Sequence, residues 1–222
     1  MREQTIAAIL EKKFIAIVRG VSADGIRAAE HICSLAAALS VGGIPLIEVT
    51  FDQRKPESFA ETAKAIAALA AMGGGILPGA GTVMTPGQAC AAAEAGARYI
   101  ISPNADEAVI RETRRLGLVS LPGVMTPTEC VNAHNWGADM LKLFPAGALG
   151  AEYLRALKAP LGHLRFLAVG GVNAANVPEF LAAGAEGFGV GGNLVNREWI
   201  AAGAFDKITQ AAREMVRAAG DF

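Results

Sequence analysis

The feature that most constrains the fold of this chain is a regular alternation of short apolar runs with longer Ala-rich segments. The short runs are rich in Ile, Leu and Val and are apolar on both faces, which is typical of parallel strands covered by helices. The predicted strands are residues 14–19, 45–50, 75–79, 98–102, 118–121, 139–143, 164–169 and 187–190. A strand followed by a helix, repeated eight times, predicts an α/β fold of the (β/α)8 TIM-barrel type, with an open doubly wound sheet as the alternative.

The segments around these strands carry helix signals. Residues 1–14 predict an amphipathic N-terminal helix, and Thr126, followed by Pro127 and by Glu129 at the third helical position, predicts a capping box. Ser22 precedes the first helix of the repeat. Helices are expected near residues 23–41, 57–72, 86–95, 106–116, 127–136, 151–158, 174–183 and 205–219. Because no linker interrupts the pattern, we interpret residues 1–222 as a single domain.

Composition narrows the classes of function. A net charge of −1 gives no electrostatic basis for binding nucleic acid or a membrane surface. The longest uncharged stretch, residues 65–93, is cut by glycines and prolines, so it predicts soluble helices and a strand and not a membrane span. Three cysteines without CxxC spacing and a first segment unlike a signal peptide favour a reducing, cytoplasmic location.

Polar and conformationally special residues follow or end the predicted strands. In a (β/α)8 barrel the active site lies at the C-terminal ends of the strands, so we expect these residues to meet at one mouth. They are Arg19-Gly20, Glu48-Val49-Thr50, Gly79-Ala80-Gly81-Thr82, Ser102-Pro103-Asn104, Pro122-Gly123, Lys142-Leu143-Phe144-Pro145, Gly170-Gly171 and Gly191-Gly192-Asn193.

Two charged residues, Glu48 and Lys142, lie inside otherwise apolar strands. Strand alternation places Glu48 on one face with Leu46, and Lys142 on one face with Met140. If Leu141 and Leu143 pack under helices, Lys142 points into the barrel. Burial lowers the pKa of a lysine and makes the neutral amine available, which is the form that attacks a ketone to give a Schiff base. A buried structural ion pair is the alternative for these two residues, and a rim salt bridge is the alternative for Arg19.

Two glycine pairs, Gly170-Gly171 and Gly191-Gly192, end the seventh and eighth predicted strands. Barrels often bind phosphate with the loops after these two strands, because glycines let backbone N–H groups approach the phosphate oxygens. The pairs therefore predict a phosphate site, although glycines also serve merely to turn a chain. A metal site is not expected, since His31, His134 and His163 are far apart in sequence and lack ligand spacing.

At these residues the sequence resembles the 2-dehydro-3-deoxy-6-phosphogluconate (KDPG) / 4-hydroxy-2-oxoglutarate (KHG) aldolases, class I enzymes on a (β/α)8 barrel. The resemblance extends from about residue 14 to about residue 195, and a KxFPA motif after EVT and GAGT is highly specific for the family. The matching segments are Ile17-Val18-Arg19-Gly20, Glu48-Val49-Thr50, Gly79-Ala80-Gly81-Thr82-Val83, Ile101-Ser102-Pro103-Asn104, Leu121-Pro122-Gly123, Lys142-Leu143-Phe144-Pro145-Ala146, Val169-Gly170-Gly171-Val172 and Val190-Gly191-Gly192.

The resemblance implies the catalytic roles. Lys142 would form the Schiff base with the C2 carbonyl of the substrate, so no separate cofactor and no metal are expected. Glu48 would act as general acid and base, through a water. Arg19 and Thr82 would contact the pyruvyl carboxylate or nearby oxygens.

The rest of the pocket follows in the same way. Phe144 would form one wall of the pocket, and Pro103 would shape the pocket. The residues implied to line the phosphate end are Gly170, Gly171, Gly191, Gly192 and Asn193.

Two positions depart from the family pattern. Asp52 stands where many members carry an arginine after EVT, which leaves Arg54 or Arg19 to supply the cation, and Asn193 stands where a serine is common. Asparagine still offers a donor to a phosphate.

The function implied is cleavage of KDPG to pyruvate and glyceraldehyde 3-phosphate, and of KHG to pyruvate and glyoxylate. The partner would be a small phosphorylated 2-oxo acid, and the family implies a homotrimer. The related 2-dehydro-3-deoxy-6-phosphogalactonate (KDPGal) aldolases share the RG and VGGV segments and are an alternative. A phosphate-binding isomerase or epimerase that uses Glu48 as its base is another, and a binding protein without turnover is a third.

Overall fold

In the computed structural model of the protein, residues 1–20 and 31–220 are described. Nine strands in this part of the chain form one parallel sheet in the order β5-β4-β3-β2-β1-β9-β8-β7-β6. The strands are β1 (Phe14–Val18), β2 (Leu46–Thr50), β3 (Leu77–Gly81), β4 (Tyr99–Ile101), β5 (Val119–Leu121), β6 (Gly123–Val124), β7 (Leu141–Leu143), β8 (Phe166–Val169) and β9 (Gly187–Val190).

The sheet closes on itself at Pro122, which separates β5 from β6. β5 pairs with β4, and β6 pairs with β7, so the two ends of the sheet lie on one continuous stretch of chain. Proline has no N–H for a ladder hydrogen bond, but the Pro122 carbonyl accepts one from Lys142 N at 2.9 Å. With β5 and β6 counted as one interrupted strand, the nine strands form an eight-stranded barrel. The predicted (β/α)8 fold is confirmed.

Helices alternate with the strands and cover the outside of the barrel. They are α1 (Arg2–Lys12), α2 (Ile32–Val41), α3 (Phe59–Met72), α4 (Pro86–Glu94), α5 (Glu107–Arg115), α6 (Pro127–Trp136), α7 (Ala146–Leu149), α8 (Ala151–Lys158), α9 (Val177–Ala182), α10 (Arg197–Ala201) and α11 (Phe205–Ala218). The predicted start of the helix near residues 23–41, with Ser22 before it, lies outside the described residues. Among the helices described, none is long and apolar enough to cross a membrane.

The core divides into two layers, as strand alternation requires. Ile47 and Leu141 belong to the layer between strands and helices, whereas Leu46 and Met140 belong to the layer inside the barrel. Helix α1 adds Ile9 to the inner layer. The face that carries Lys142 therefore points into the barrel, as predicted, and the face that carries Glu48 points inward as well.

Local sequence signals fix several boundaries. The capping box is present: Thr126 N donates to the Glu129 carboxylate at 2.7 Å, and Glu129 N donates to Thr126 Oγ1 at 3.3 Å. The prediction for β3 was wrong by two residues, because Gly75 has a φ of +86° and still belongs to the preceding turn. The strand instead extends through Gly81, so Gly79 and Gly81 are strand residues and not a tight turn. Helices α7 and α10 were not predicted.

Candidate active site

Lys142 and Glu48 lie on opposite walls of the barrel and point into it. In the closed strand order, in which β5 and β6 count as one strand, β7 and β2 are four positions apart. This is the largest separation possible in an eight-stranded barrel. Lys142 is 7% exposed and Glu48 is 2% exposed. The structure thus places an amine and a carboxyl group across one cavity from each other.

Burial sets the protonation of Lys142. It lowers the pKa of the ammonium group from its ordinary 10.5; the charge of Glu48 opposes this effect, and that of Arg19 adds to it. Lys142 Nζ lies 4.8 Å from the centre of the Phe144 ring. Among the described residues, no carboxylate lies within 4.0 Å of this amine, so the two charges do not form the direct ion pair that was the structural alternative. The amine is available for chemistry.

Burial acts on Glu48 in the opposite sense. It raises the pKa of the carboxyl group, while the charges of Lys142 and Arg19 lower it. Glu48 Oε2 is buried and has no hydrogen-bond partner among the described residues. A raised pKa brings a carboxyl group closer to the pH range in which it both accepts and returns a proton, which suits a general acid and base.

Gly81 provides the space that Glu48 occupies. A Cβ added to Gly81 would overlap Oε1 and Cδ of Glu48 and would lie 2.6 Å from its Cγ. Because β3 lies beside β2, with Thr50 opposite Gly81 in the register, any side chain at this position competes with the carboxyl group. The second glycine of the GAGT segment is therefore required by the position of Glu48.

Thr82 follows β3 in a left-handed conformation with a φ of +54°. This region is strained for a β-branched residue, and such strain is often found at functional sites. The Thr82 carbonyl accepts a hydrogen bond from Gln53 Nε2 at 2.7 Å, which holds the turn against the loop after β2. The turn fixes Thr82 at the mouth, where it was predicted.

A cleft of 280 Å³ lies where β8 and β9 end. Gly170 and Gly171 have φ values of +87° and +78°, a backbone conformation that favours glycine. Asn193 Nδ2 donates to the Val172 carbonyl at 3.1 Å and thereby joins the two loops. The residues lining the cleft include Arg19, Gly170, Gly171, Gly191, Gly192 and Asn193. The structure brings all six of these predicted residues together.

Phe144 connects the two halves of the site. A Cβ added to Gly170 would lie 3.0 Å from the Phe144 ring, and the same ring lies 4.8 Å from Lys142 Nζ. Pro103 lies further round the barrel, beside Gly123. A Cβ added to Gly123 would overlap the Pro103 carbonyl. Pro103 thus packs against the β5–β6 junction next to Lys142 and is not among the residues lining the cleft described above.

The structure separates the two candidate cations. Arg54 is bound to Asp52, with Nε 3.2 Å from Oδ1, and its side chain is 88% exposed. Arg54 lowers the pKa of the Asp52 carboxyl group through this hydrogen bond. The guanidinium of Arg19 instead lies against Gly191, where an added Cβ would overlap Nη1. Of these two candidates, Arg19 is therefore the one at the mouth, and its charge acts on both Glu48 and Lys142.

Two residues of the site were missed from the sequence. Arg197, at the start of α10, donates from Nη2 to the Arg19 carbonyl at 3.3 Å, and it lines a cleft of 460 Å³ that shares Arg19 and Gly192 with the first cleft. Tyr99 lies inside the barrel, fully buried. Two signals in the sequence could have found them. Arg197 closely follows the glycines at residues 191–192, and Tyr99 lies two residues before Ile101, on the same inward face of the strand.

Two of the three histidines lie away from this site. His134 and His163 contact each other with ring centres 5.7 Å apart, in a cleft that also includes Arg2 and Asp139, which comes just before β7 and therefore marks the opposite end of the barrel. No group of three or more residues suited to hold a metal ion occurs within the described ranges.

Comparisons with known proteins agree with this geometry. Residues 8–211 match the family model described as KDPG and KHG aldolase. The chain is 39% identical to a probable KDPGal aldolase of Rhizobium meliloti, over 83% of this chain and 82% of that one. It is 34% identical to the KHG/KDPG aldolase of Escherichia coli K12, over 86% and 87% of the two chains.

A solved structure shows the same fold with the relevant chemistry. KDPG aldolase from Legionella pneumophila, with pyruvate captured at low pH as a covalent carbinolamine intermediate, is 28% identical and covers 94% of this chain and 96% of its own, with a TM-score of 0.81. A family match over most of the chain and relatives above 30% identity on the same barrel lead to one conclusion: the chain belongs to the KDPG and KHG aldolase family, whose members are carbon–carbon lyases.

Proposed function

We propose that this protein is a Schiff-base aldolase that cleaves KDPG to pyruvate and glyceraldehyde 3-phosphate, and KHG to pyruvate and glyoxylate. The observation that carries the proposal is the buried Lys142 amine, whose pKa is lowered by burial, across the barrel from the buried carboxyl group of Glu48. The glycine-lined cleft where β8 and β9 end gives room for the phosphate of the substrate.

The chemistry begins at Lys142 Nζ. The neutral amine adds to the C2 ketone to form a carbinolamine, and loss of water gives a protonated imine. Removal of the proton from the C4 hydroxyl breaks the C3–C4 bond, and its electron pair moves into the imine to form an enamine. The aldehyde leaves, C3 takes up a proton, and water then releases pyruvate and regenerates the amine.

The other residues have roles that match their positions. Glu48 carries the protons, through a water, because it is the carboxyl group inside the barrel whose raised pKa lets it both accept and donate. Arg19 and Thr82 bind the pyruvyl carboxylate or neighbouring oxygens. Phe144 covers the imine and Pro103 shapes the wall beside it.

A second candidate substrate is KDPGal, the C4 epimer of KDPG. It is favoured by the relative of 39% identity, which is a probable KDPGal aldolase. The test is a panel assay of pyruvate release from KDPG, KDPGal and KHG at matched concentrations. The highest kcat/KM with KDPG supports the main proposal, the highest value with KDPGal replaces it with the epimer, and no pyruvate from any of the three contradicts both.

Arg197 is expected to act on the phosphate end alone. Since it lies beside Arg19 at an exposed rim, Arg197→Gln should lower kcat/KM for a phosphorylated substrate about tenfold, the value of one screened charge-assisted hydrogen bond. Cleavage of unphosphorylated KHG should not change. The matched control is Arg213→Gln, which removes an exposed arginine from α11. An equal loss with both substrates would contradict a phosphate contact.

We also propose that the protein is a cytoplasmic enzyme that acts on small phosphorylated 2-oxo acids as one domain spanning residues 1–222 and, on the family resemblance alone, that it is a homotrimer. Light scattering of the purified protein measures its mass directly, and a monomer or dimer would contradict the trimer.

A further inference from the structure

One phenol lies inside the barrel, and the reaction described above does not use it. Tyr99 is fully buried within an inner layer that is otherwise almost entirely aliphatic. Its hydroxyl has no hydrogen-bond partner among the described residues. A buried hydroxyl without a partner is unfavourable, so a phenylalanine would fill this space better unless the hydroxyl has a function.

The strand register directs this hydroxyl to the catalytic carboxyl group. Glu48 pairs with Gly79 and Gly79 pairs with Tyr99, so the three residues form one row across β2, β3 and β4. A Cβ added to Gly79 would overlap Cε2, Cδ2 and Cζ of Tyr99, which shows that the ring extends from β4 across β3. The hydroxyl, beyond Cζ, therefore points towards the next strand, where Glu48 stands.

Glu48 lies over the same glycine face from the other side. Its carboxyl group occupies the space above Gly81, two residues after Gly79 and on the same face of β3. Glu48 Oε2 and the Tyr99 hydroxyl are two of the three buried side-chain polar atoms without a partner in the described part of the chain. The Tyr99 hydroxyl can donate a hydrogen bond, and Glu48 Oε2 can accept one. The charge of Glu48 also acts on Tyr99, and together with burial it raises the pKa of the phenol well above 10. Tyr99 therefore stays a neutral donor.

We propose that Tyr99 is a positioning residue for the general acid and base, and that its hydroxyl, which makes no direct hydrogen bond to Glu48 in the structure, donates to Glu48 Oε2 through one buried water. The inference rests on the proposed role of Glu48. A donor to the carboxylate stabilises the ionised form and fixes the orientation of the group. Gly79 and Gly81 would then both be required: the first makes room for the phenol, and the second for the carboxylate.

The first test is Tyr99→Phe, which removes only the hydroxyl. Loss of the donor disfavours the carboxylate, so the pKa of Glu48 rises. The limb of the kcat/KM profile that belongs to Glu48 should move about one pH unit upward, and kcat near neutral pH should fall about tenfold with little change in KM. The matched control is Tyr153→Phe: the chain has two tyrosines, and the Tyr153 hydroxyl donates to the Met125 carbonyl at the exposed surface. A thermal melt verifies folding.

A second variant shifts the profile in the opposite direction. With Tyr153→Phe as background, fluorotyrosine supplied during expression enters at position 99 alone. Fluorine makes the phenol a stronger donor, so the Glu48 limb should move to lower pH. If the profiles of Tyr99→Phe and of the fluorinated protein both coincide with wild type, the inference is overturned and Tyr99 is only a packing residue.

A third measurement needs no turnover. Difference infrared spectra between wild type and Glu48→Gln follow the carboxyl group of Glu48 directly, and the same subtraction in the Tyr99→Phe background should show it titrating at higher pH. A shift without any aldolase activity supports the contact and contradicts the proposed function. Aldolase activity without such a shift supports the proposed function and contradicts the contact.

Discussion

Lys142→Ala and Lys142→Met are expected to abolish cleavage, with kcat lower by a factor on the order of 10⁵, or about 7 kcal/mol in the barrier. The reason is that no other group can form the covalent imine. Methionine has nearly the volume of lysine and carries no charge, so it removes the amine without leaving a cavity in β7. Both variants should fold, because a buried ammonium contributes nothing that an apolar side chain cannot replace.

The same residue should be labelled in wild type. Treatment with pyruvate and borohydride reduces the imine to a stable amine, and peptide mass spectrometry then locates the adduct. We expect it on Lys142 and, in the control Lys207→Ala, still on Lys142, since Lys207 is exposed on α11. The pKa of Lys142 is lowered by burial, so labelling should persist well below pH 10.5 and fall only when the amine becomes protonated. An adduct on another lysine, or an unmodified protein, would reject the mechanism.

The second large effect is expected at Glu48. Glu48→Gln keeps the shape of the side chain and removes its proton chemistry, so kcat should fall by about 10²–10⁴. The charge of Glu48 raises the pKa of Lys142, so its removal should lower that pKa further. Borohydride labelling should therefore remain, although more slowly, and should extend to lower pH than in wild type. Loss of labelling together with turnover would show that Glu48 is needed to hold Lys142 and not to move protons.

Gly81→Ala tests the same carboxyl group without altering it. The added methyl would overlap Glu48, so we expect a loss of kcat close to that of Glu48→Gln with Lys142 unchanged. Gly87→Ala is the matched control: Gly87 lies in α4, and its added Cβ would have no neighbour nearer than 3.9 Å. That control should keep full activity and gain slightly in stability. Equal activity in Gly81→Ala and Gly87→Ala would mean that Glu48 can move aside without loss of catalysis.

The sequence by itself determined the barrel and the identities of the groups at its mouth. Alternating apolar strands and Ala-rich helices allow few arrangements, because each strand must be covered on both faces. Strand alternation also determined which residues share a face with Glu48 and with Lys142, and the inner and outer core layers show that both faces point inward. Both inferences depend on periods of two or 3.6 residues, which are properties of neighbouring residues.

Tertiary structure decided everything that depends on distances between strands remote in sequence. The sequence left both Arg19 and Arg54 as candidates for the cation, and only the fold shows Arg54 bound to Asp52 and Arg19 against Gly191. In the structure β3 begins two residues later than predicted, because the exposed glycines at residues 73–75 form a left-handed turn before it.

The same holds for the residues that the sequence did not single out. From the sequence, Tyr99 is one more apolar position along its strand, and only the register Glu48–Gly79–Tyr99 shows that its ring lies in the same row as the catalytic candidate Glu48. Local patterns specify which face a side chain takes. The closure of the barrel, a property of all its strands together, specifies which side chain it meets there.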